Sequence, residues 1–326
     1  RETAARVFTD MCDDDKIKQL TNAKAATTMH SALWQQLAEL GMLGLPFAEQ
    51  YGGMDMSLVE FCLVLEQQGR TVAPLPLIAT VVESAMTIAS GDNEKLKEAL
   101  IPSVISGELI LSSAAAYAGY QAFDALSAEK NGDDLVLSGR SSFTYYAALA
   151  NGFVVSTTDN NNDSVLFYVA KDTAGLSIVE QVAINDEPAG YLVFDKVTVS
   201  ADNIIATGAN AVALIALQQQ RTWVAQAAVQ VGVLDEGIKR AAAYVSERKQ
   251  FGRQIGSFQA IKHRLADMMV LNEAAKSAAW YAACVADEMP EELPIAAATA
   301  MIVTSRALKR NSKNMIQLHG GMGFTW

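Results

Sequence analysis

The chain has 326 residues, of which 51% are hydrophobic and 19% are charged, which is typical of a globular protein and excludes a disordered one. Its net charge of −11 argues against nucleic-acid binding, because that function requires a basic face. No apolar run reaches the roughly 18 residues that a membrane-spanning helix needs, and we expect no signal peptide.

The cysteines and the chain ends give further expectations. Cys12, Cys62 and Cys284 are far apart and form no CxxC motif, which predicts reduced thiols of an intracellular protein. The three histidines show no ligand spacing either, so no metal site is predicted. The chain opens on Arg1 without a methionine and closes on Trp326 after a glycine-rich turn, so we expect both ends to be truncated.

Residues 1–110 are predicted to form an N-terminal helical domain. The leucines of "SALWQQLAEL" recur at helical spacing, and Gly41 is predicted to end that helix. A second amphipathic helix is predicted over "MSLVEFCLVLEQQGR", with Ser57 as its N-cap and Gly69 as its C-terminal stop.

The character of the sequence changes at about residue 111. Short β-branched runs separated by "KNGDD" and "DNNND" predict a middle antiparallel β domain over residues 111–205. Residues 206–326 are predicted to be a C-terminal helical domain that opens with one very long helix, in which Ala227, Ala228 and Gly232 allow close helix packing. The predicted fold class is therefore α+β.

Residues 247–259, "ERKQFGRQIGSFQ", place three cations in an otherwise acidic chain. A guanidinium of Arg248 or Arg253 suits bidentate binding of a phosphate, and the Phe251 ring suits stacking on a planar ligand. The alternative is a helix C terminus whose basic residues, including Lys249, complement the helix dipole. The residues alone leave both interpretations open.

The same stretch resembles the C-terminal signature of the acyl-CoA dehydrogenase family, which has Arg-x-x-Phe-Gly, then Phe-Gln, then a Leu-Ala-Asp helix. A second motif of that family is matched by "QLHGGMGF", residues 317–324. The layout is similar as well, because the family has an N-terminal helical domain, a middle β domain and a C-terminal four-helix-bundle domain. The resemblance extends over the whole chain.

The resemblance implies FAD as cofactor, held between two subunits of a tetramer. It assigns contacts with the flavin nucleotide of the neighbouring subunit to Arg248, Phe251, Gln259, Gln317, Gly320 and Gly321. Glycines let backbone N–H groups approach a pyrophosphate, and an arginine neutralises it. His319 is interpreted as a polar filler of this turn, His263 as structural and His30 as a surface residue.

The resemblance also assigns a flavin cradle to the β domain, where this sequence departs from the family pattern. The family reads Thr-Glu-Pro-Gly-x-Gly-Ser and later Trp-Ile-Thr. Here Ser113 and Phe143 stand at the first Thr and the Trp, Tyr145 stands at the later Thr, and Gly119 replaces the Ser. The proline-glycine turn is lost, so the occupancy of this chain's own flavin site is an open question.

No catalytic base can be assigned. In most of the family, the resemblance implies, a Glu lies well after the glycine turn and thus beyond Trp326. In a minority it lies on the long helix, at the position that is Thr222 here. Asp235 and Glu236 lie further along that helix and are interpreted as solvated helix charges.

The implied function is that of a cytoplasmic, bacterial, FAD-dependent acyl-CoA dehydrogenase of fatty acid or lipid catabolism. It would desaturate an acyl-CoA at Cα and Cβ and pass electrons to an electron-transfer flavoprotein, as a homotetramer or as a heterotetramer with a paralogous subunit. The alternatives are a degraded partner subunit of an α2β2 enzyme of sterol side-chain breakdown, and an oxidase or monooxygenase on the same scaffold. The acyl pocket is expected near "TVVESAMTIAS" and the start of the long helix, and the acyl chain itself cannot be named.

Overall fold

The structure is a computed structural model, and it describes residues 1–22, 28–114, 126–141, 143–183, 185 and 187–325. In the described N-terminal region the α-helices are α1 (Glu2–Met11), α2 (Asp14–Asn22), α3 (Ser31–Glu39), α4 (Leu58–Thr71), α5 (Met86–Ser90) and α6 (Glu94–Ile105). A π-helix over Ile78–Ala85 runs directly into α5.

The middle region is a sheet. Its strands are β1 (Leu111–Ala114), β2 (Ser127–Asn131), β3 (Asp134–Arg140), β4 (Thr144–Tyr145), β5 (Gly152–Asp159), β6 (Ser164–Ala170), β7 (Leu176–Val182), β8 (Pro188–Val199) and β9 (Ile204–Thr207). The C-terminal region contains α7 (Gly208–Glu247), the hairpin strands β10 (Lys249–Gln250) and β11 (Arg253–Gln254), α8 (Gln259–Glu288), α9 (Leu293–His319) and a 3-10 turn (Gly320–Gly323). This order of helices, sheet and helices confirms the predicted α+β class.

The sheet is mixed, and the prediction of a purely antiparallel domain is wrong. The strand order is β4-β8-β3-β2-β5-β6-β9, with β1 added on β5 and β7 on β8. Strand β5 pairs in parallel with both β1 and β2, whereas the other described pairs of this sheet are antiparallel. Side chains such as Phe153, Phe167 and Leu192 are buried in its core. Alternation alone could not reveal the parallel pairs, because their partners are far apart in sequence.

The chain divides into two compact units. We call the first the helical unit; it comprises Arg1–Asp13, Leu58–Ala73 and Trp223–Trp326. The second, the sheet unit, comprises Asp14–Ser57 and Pro74–Thr222. The three domains with boundaries at residues 111 and 206 remain a prediction.

Glycine packing explains how α4 and α7 approach each other in the helical unit. A Cβ at Gly232 would lie 2.0 Å from the Glu66 carbonyl oxygen, and one at Gly69 would lie 2.0 Å from the Val229 carbonyl oxygen. The close packing expected at Gly232 is therefore present. The prediction that Gly69 stops α4 is wrong, since the helix continues to Thr71, and Gly69 instead admits the backbone of α7.

Other local predictions have mixed outcomes. Gly41 ends α3 in the left-handed region, with φ of 71°, as predicted. His30 is not a surface residue: it is buried, and its Nδ1 accepts a hydrogen bond from the Leu33 N–H at 3.2 Å, so it caps α3. His263 lies exposed on α8. The three cysteines are free thiols.

Two features are absent from the part of the chain that the structure describes. None of its helices combines the length and the hydropathy that crossing a membrane requires. Nor does this part contain a group of three or more His, Cys, Asp or Glu side chains able to hold a metal ion.

Candidate functional site

The signature stretch of the helical unit folds as a hairpin that exposes an aromatic ring. Strands β10 and β11 pair Lys249 with Gln254 and Gln250 with Arg253, which leaves Phe251 and Gly252 as a two-residue turn. Both turn residues have positive φ, 55° and 79°, as type I′ turns require. A bulky residue rarely adopts this conformation, yet Phe251 does so and is 90% exposed. This combination is typical of a residue retained for contact with a ligand.

The second motif forms the end of α9. Gly320 ends this helix with φ of 60° and ψ of −138°, a conformation that is essentially restricted to glycine. Gly321 differs, because its φ is not positive and a Cβ there would meet no atom within 4 Å. The chain itself therefore does not require a glycine at position 321. The open space above it suits close approach of a ligand to the backbone.

One groove of the helical unit gathers both motifs. Five of the six residues that the family resemblance assigned to the nucleotide line it, namely Arg248, Phe251, Gln317, Gly320 and Gly321. Gln259 does not line the groove; it opens α8 between two lining residues, Phe258 and Ala260. The groove thus joins segments that are about 70 positions apart in sequence.

The charge in the groove is positive. Among its described lining residues are a guanidinium, from Arg248, and no carboxylate. Arg248 forms no ion pair with any described residue of the chain. An unpaired guanidinium beside glycines and an exposed ring suits a ligand that carries phosphates and a planar base.

His319 is held within this groove by two contacts. Its ring stacks on Tyr244, with centroids 4.5 Å apart, and its Nδ1 lies 2.7 Å from the Met315 carbonyl oxygen. Because that oxygen only accepts, Nδ1 carries the proton and donates. His319 therefore orders the turn, in agreement with its interpretation as a polar filler.

The sheet unit brings together the three residues assigned to the flavin cradle. Phe143 packs edge-on against Tyr145 and Tyr191, at 5.2 and 5.9 Å between ring centroids. Strand β1 joins this aromatic cluster through Ser112, whose hydroxyl donates to the Tyr145 carbonyl oxygen at 2.5 Å. Ser113, next along β1, is buried. Gly119 lies outside the described residues.

A buried amide links Ser113 to the long helix. Gln218 of α7 donates from Nε2 to the Ser113 hydroxyl at 3.0 Å and to the Glu83 carbonyl oxygen of the π-helix. Gln218 is 1% exposed. Sequence analysis missed this residue, because a glutamine within "QQQ" carries no signal that distinguishes it from its neighbours.

Thr222, Asp235 and Glu236 of α7 all form hydrogen bonds or ion pairs within the chain. Thr222 is buried, and its hydroxyl donates to the Gln218 carbonyl oxygen at 2.8 Å. Asp235 accepts from Asn272 at 2.6 Å and pairs with Lys276, and Glu236 pairs with Arg70, Lys239 and Arg240. The side chains of Asp235 and Glu236 are only 25% and 17% exposed, so their interpretation as solvated charges is wrong.

The carboxyl group of Glu187, near the aromatic cluster, has a shifted pKa. Burial raises the pKa of Glu187, against the opposing effect of hydrogen bonds from Asn185 and Tyr146. Burial also raises the pKa of Tyr146, and the adjacent Glu187 raises it further. Tyr146 directly follows Tyr145 in the chain. Glu187 belongs to neither of the two C-terminal motifs. Only its contacts with Tyr146 and Asn185 in the structure indicate that its carboxyl group is buried.

Comparison with known proteins identifies the family. The family's sequence models for the N-terminal and C-terminal domains of acyl-CoA dehydrogenases match residues 1–108 and 210–326. The probable acyl-CoA dehydrogenase fadE25 of Mycobacterium leprae is 31% identical over 85% of this chain and 74% of its own length. The chain belongs to the acyl-CoA dehydrogenase family. The probable acyl-CoA dehydrogenase YngJ of Bacillus subtilis is 27% identical over 89% of this chain and 80% of its own length.

Solved structures agree with this acyl-CoA dehydrogenase fold. The chain resembles the Tcur3481–Tcur3483 steroid ACAD with a TM-score of 0.87 and 31% identity, covering 98% of this chain and 86% of that one. It resembles the ChsE4–ChsE5 complex of Mycobacterium tuberculosis with a TM-score of 0.90 and 25% identity, covering 99% and 86%. The butyryl-CoA dehydrogenase of Megasphaera elsdenii, at a TM-score of 0.89 and 23% identity over 99% and 88%, shares the fold.

Proposed function

We propose that the chain is an FAD-dependent acyl-CoA dehydrogenase that introduces a double bond between Cα and Cβ of an acyl-CoA thioester. The observation that carries this proposal is the groove, which gathers five signature residues from two distant motifs of an acyl-CoA dehydrogenase. FAD is the cofactor, and related structures include FAD complexes. When bound, the flavin would supply the acceptor for the hydride that leaves Cβ, and the proton that leaves Cα would pass to a carboxylate base, which we do not assign to any described residue.

The groove residues fit the nucleotide part of FAD. Phe251 presents a ring face with little intramolecular cover, and Arg248 has no competing carboxylate among the described residues. The backbone at Gly321 can be approached because no neighbouring atom occupies the place of a Cβ. Arg248 would bind the pyrophosphate, Phe251 would contact the adenosine, and Gln317, Gln259, Gly320 and Gly321 would complete the contacts.

The residues of the sheet unit fit the ring system of the flavin. Phe143 and Tyr145 form an aromatic wall, and Ser113 supplies a hydroxyl beside it. In this proposal the wall positions the ring and excludes water, and Ser113 forms a hydrogen bond with it. The site differs from the usual one of the family in having Phe143 in place of Trp, which keeps the packing surface and loses the indole N–H.

Electron-transfer flavoprotein is the proposed electron acceptor. It is the acceptor that the resemblance to the acyl-CoA dehydrogenase family implies, and both terminal domains of that family match this chain. Transfer is tested by following the reduction of that acceptor when acyl-CoA and the purified protein are mixed.

The first experiment is a visible spectrum of the protein expressed alone, with a measured protein concentration. Flavin bands near one FAD per chain, followed by anaerobic bleaching with an acyl-CoA, are the expected result. A colourless protein that takes up no FAD and desaturates no acyl-CoA, alone or with a paralogous subunit, would overturn the proposal.

A second candidate is a partner subunit of a heteromeric acyl-CoA dehydrogenase. Thr222 favours it, because the position where some family members carry the base holds a hydroxyl bound to its own helix. Two structures similar to this chain, ChsE4–ChsE5 and Tcur3481–Tcur3483, are named as pairs of different chains. Co-purification with a paralogous chain and about half an FAD per chain would support this candidate, and a homotetramer fully loaded with FAD would exclude it.

A further inference from the structure

Helix α9 carries four cations and no carboxylate, although the chain as a whole has a net charge of −11. The cations lie in its second half and are all exposed: Arg306, Lys309, Arg310 and Lys313. None of them forms an ion pair with a described residue. The helix dipole does not account for them, because its effect is confined to the last turn and Arg306 lies about three and a half turns before His319.

Carboxylates are concentrated at the opposite end of α9. Glu288 ends α8, and Glu291 and Glu292 directly precede α9. All three are exposed, and none forms an ion pair with a described residue. Glu292 accepts only a hydrogen bond, from the Tyr281 hydroxyl at 2.5 Å, among the contacts of the described residues. The two ends of α9 therefore carry opposite charges that ion pairs with the described residues do not balance.

Two isoleucines are exposed between the charged ends. Ile295 is 76% exposed and Ile302 is 57% exposed. They belong to a series of exposed residues that recur at alternating steps of three and four, the spacing that forms a helix–helix contact. We call this series the α9 seam, and its members are Glu292, Ile295, Thr299, Ile302, Arg306, Lys309, Lys313 and Ile316.

The α9 seam is complementary to itself when a second copy lies antiparallel to it. Glu292 and Arg306 are equally far from Thr299 in sequence, and at about 1.5 Å per residue they lie roughly 10 Å on either side of it. A two-fold axis at Thr299 therefore places Glu292 of each copy beside Arg306 of the other. The same axis places Ile295 of each copy near Ile302 of the other. A parallel copy would instead place each charge beside the same charge.

We propose that the α9 seam is an assembly surface on which a second copy of this chain packs antiparallel, with the two-fold axis at Thr299. The charge pattern favours this occupant over an anionic lipid surface, which would attract the cations and repel Glu291 and Glu292. The inference does not rest on the proposed function, because no part of it requires FAD. It goes beyond that function by assigning the surface, the symmetry and the register of one contact between copies.

An exchange of charges tests the predicted pair of Glu292 with Arg306. Arg306→Glu places carboxylates together at both ends of the contact, so the Kd for association is expected to rise at least about tenfold. Glu292→Arg is expected to weaken association by a similar factor. The double variant Arg306→Glu/Glu292→Arg restores opposite charges, and its Kd is expected to return to within about threefold of the wild-type value.

The measurement is sedimentation velocity of the full-length protein over a range of concentrations, which gives the mass of the assembly and the Kd. Lys196→Glu is the matched control, because it makes the same change of charge at an exposed position of β8, outside the α9 seam. It is expected to leave the Kd unchanged. A thermal melt of each variant confirms that it is folded, as we expect because Glu292 and Arg306 are exposed.

A cysteine at the axis tests the register. Thr299→Cys would face its own copy, so oxidation with diamide, an azo compound, is expected to join two chains through a disulfide. The two thiols lose two protons and two electrons, and the azo group takes them up to become a hydrazine. Lys313→Cys is the matched control, because the same register separates it from its copy by about 40 Å. The wild type measures the background from the free thiols of Cys12, Cys62 and Cys284.

The outcomes decide the inference in either direction. A monomer at every concentration, or association that Arg306→Glu leaves unchanged, would overturn it. So would failure of the double variant to restore association, or cross-linking of Lys313→Cys in place of Thr299→Cys. Binding of a monomeric chain to vesicles that contain phosphatidylserine would assign the α9 seam to a membrane surface instead. A chain that assembles as expected and takes up no FAD would overturn the proposed function alone.

Discussion

The groove of the helical unit and the cradle of the sheet unit serve one proposed cofactor but are built in opposite ways. Groove residues such as Phe251 and Arg248 are exposed and have few partners within the chain. Cradle residues such as Ser113 and Gln218 are buried and bonded to each other. An exposed residue with few intramolecular contacts can be identified from a family motif one position at a time. A buried residue depends on the residues that pack against it, so both can differ together from the family pattern.

This contrast predicts that substitutions in the groove affect binding and leave stability unchanged. The largest effect is expected for Arg248→Ala, which removes charge-assisted hydrogen bonds to the pyrophosphate. Hydrogen bonds to charged groups contribute about 1.5–3 kcal/mol, so the Kd for FAD should rise roughly 10- to 100-fold.

The measurement is a fluorescence titration with FAD, accompanied by a thermal melt of the apoprotein. Arg264→Ala on α8 is the control, because it makes the same change of charge at an exposed position outside the groove. Equal losses in the two variants would mean that Arg248 acts only through net charge.

Substitution by alanine at Gly232, which is buried between α4 and α7, and at Gly321, which lines the groove, should affect stability and FAD binding differently. In Gly232→Ala the new Cβ would lie 2.0 Å from the Glu66 carbonyl oxygen, so α4 and α7 must move apart at a cost of about 1–3 kcal/mol of unfolding free energy. In Gly321→Ala the Cβ meets no atom, so stability should hold while FAD affinity falls.

Urea titration of both variants measures the first effect, and FAD titration measures the second. A Gly321→Ala protein with unchanged FAD affinity would mean that the open space above that backbone is not used by the cofactor.

Phe251→Asn is expected to weaken FAD binding without lowering the stability of the protein. Asparagine adopts positive φ more readily than phenylalanine, so the hairpin should be as stable as in the wild type or more stable. Loss of stacking should weaken FAD binding by about 1 kcal/mol, roughly fivefold.

The paired readouts are the midpoint of thermal unfolding and the Kd for FAD. Phe258→Leu on the neighbouring ring is a useful comparison, because that ring packs against Phe251 at 6.2 Å and is partly covered. A clear drop in the midpoint for Phe251→Asn would contradict the strain argument.

The smallest effect is expected at Glu187 and depends on pH. Burial raises its pKa in the folded protein, so folding costs free energy once the unfolded carboxyl ionises. This cost is absent below the ordinary pKa of a glutamate, and it grows as the pH rises from there to the raised folded value. Glu187→Gln should therefore stabilise the protein more at pH 7 than at pH 4.

Urea unfolding at the two pH values checks this sign. An equal effect of Glu187→Gln at both would show that the Glu187 carboxyl is as solvated in the folded chain as in the unfolded one.

Sequence alone predicted the parts whose signals are local. The end of α3 at Gly41, the 40-residue α7 and the two C-terminal motifs are written in consecutive residues. Gly69 was predicted as a helix stop because a glycine near the end of an amphipathic run favours that role, and only the approach of Val229 reveals its packing role. Long-range packing decides such positions.

The residues of the candidate site also fall into two groups, those that the sequence motifs identify and those that only the structure identifies. Arg248, Phe251, Gln317, Gly320 and Gly321 could be named from motifs, and the structure brings these five together. Gln218 and Glu187 could not, since their environments depend on the π-helix and on the start of β8. The roles of the five motif residues in binding FAD remain predictions that the experiments above test.

The mixed sheet has a consequence for how the chain folds during synthesis. Strands β1 and β2 both pair with β5, so β1 must wait until Gly152–Asp159 has been made before it gains its partner. Parallel pairing of strands this far apart in sequence requires a long loop to close. The entropy cost of that closure comes before the strand contacts stabilise the structure, and folding is therefore slow. Until then β1 presents an unpaired edge, and we expect this interval to be the point at which the nascent chain is most prone to aggregation.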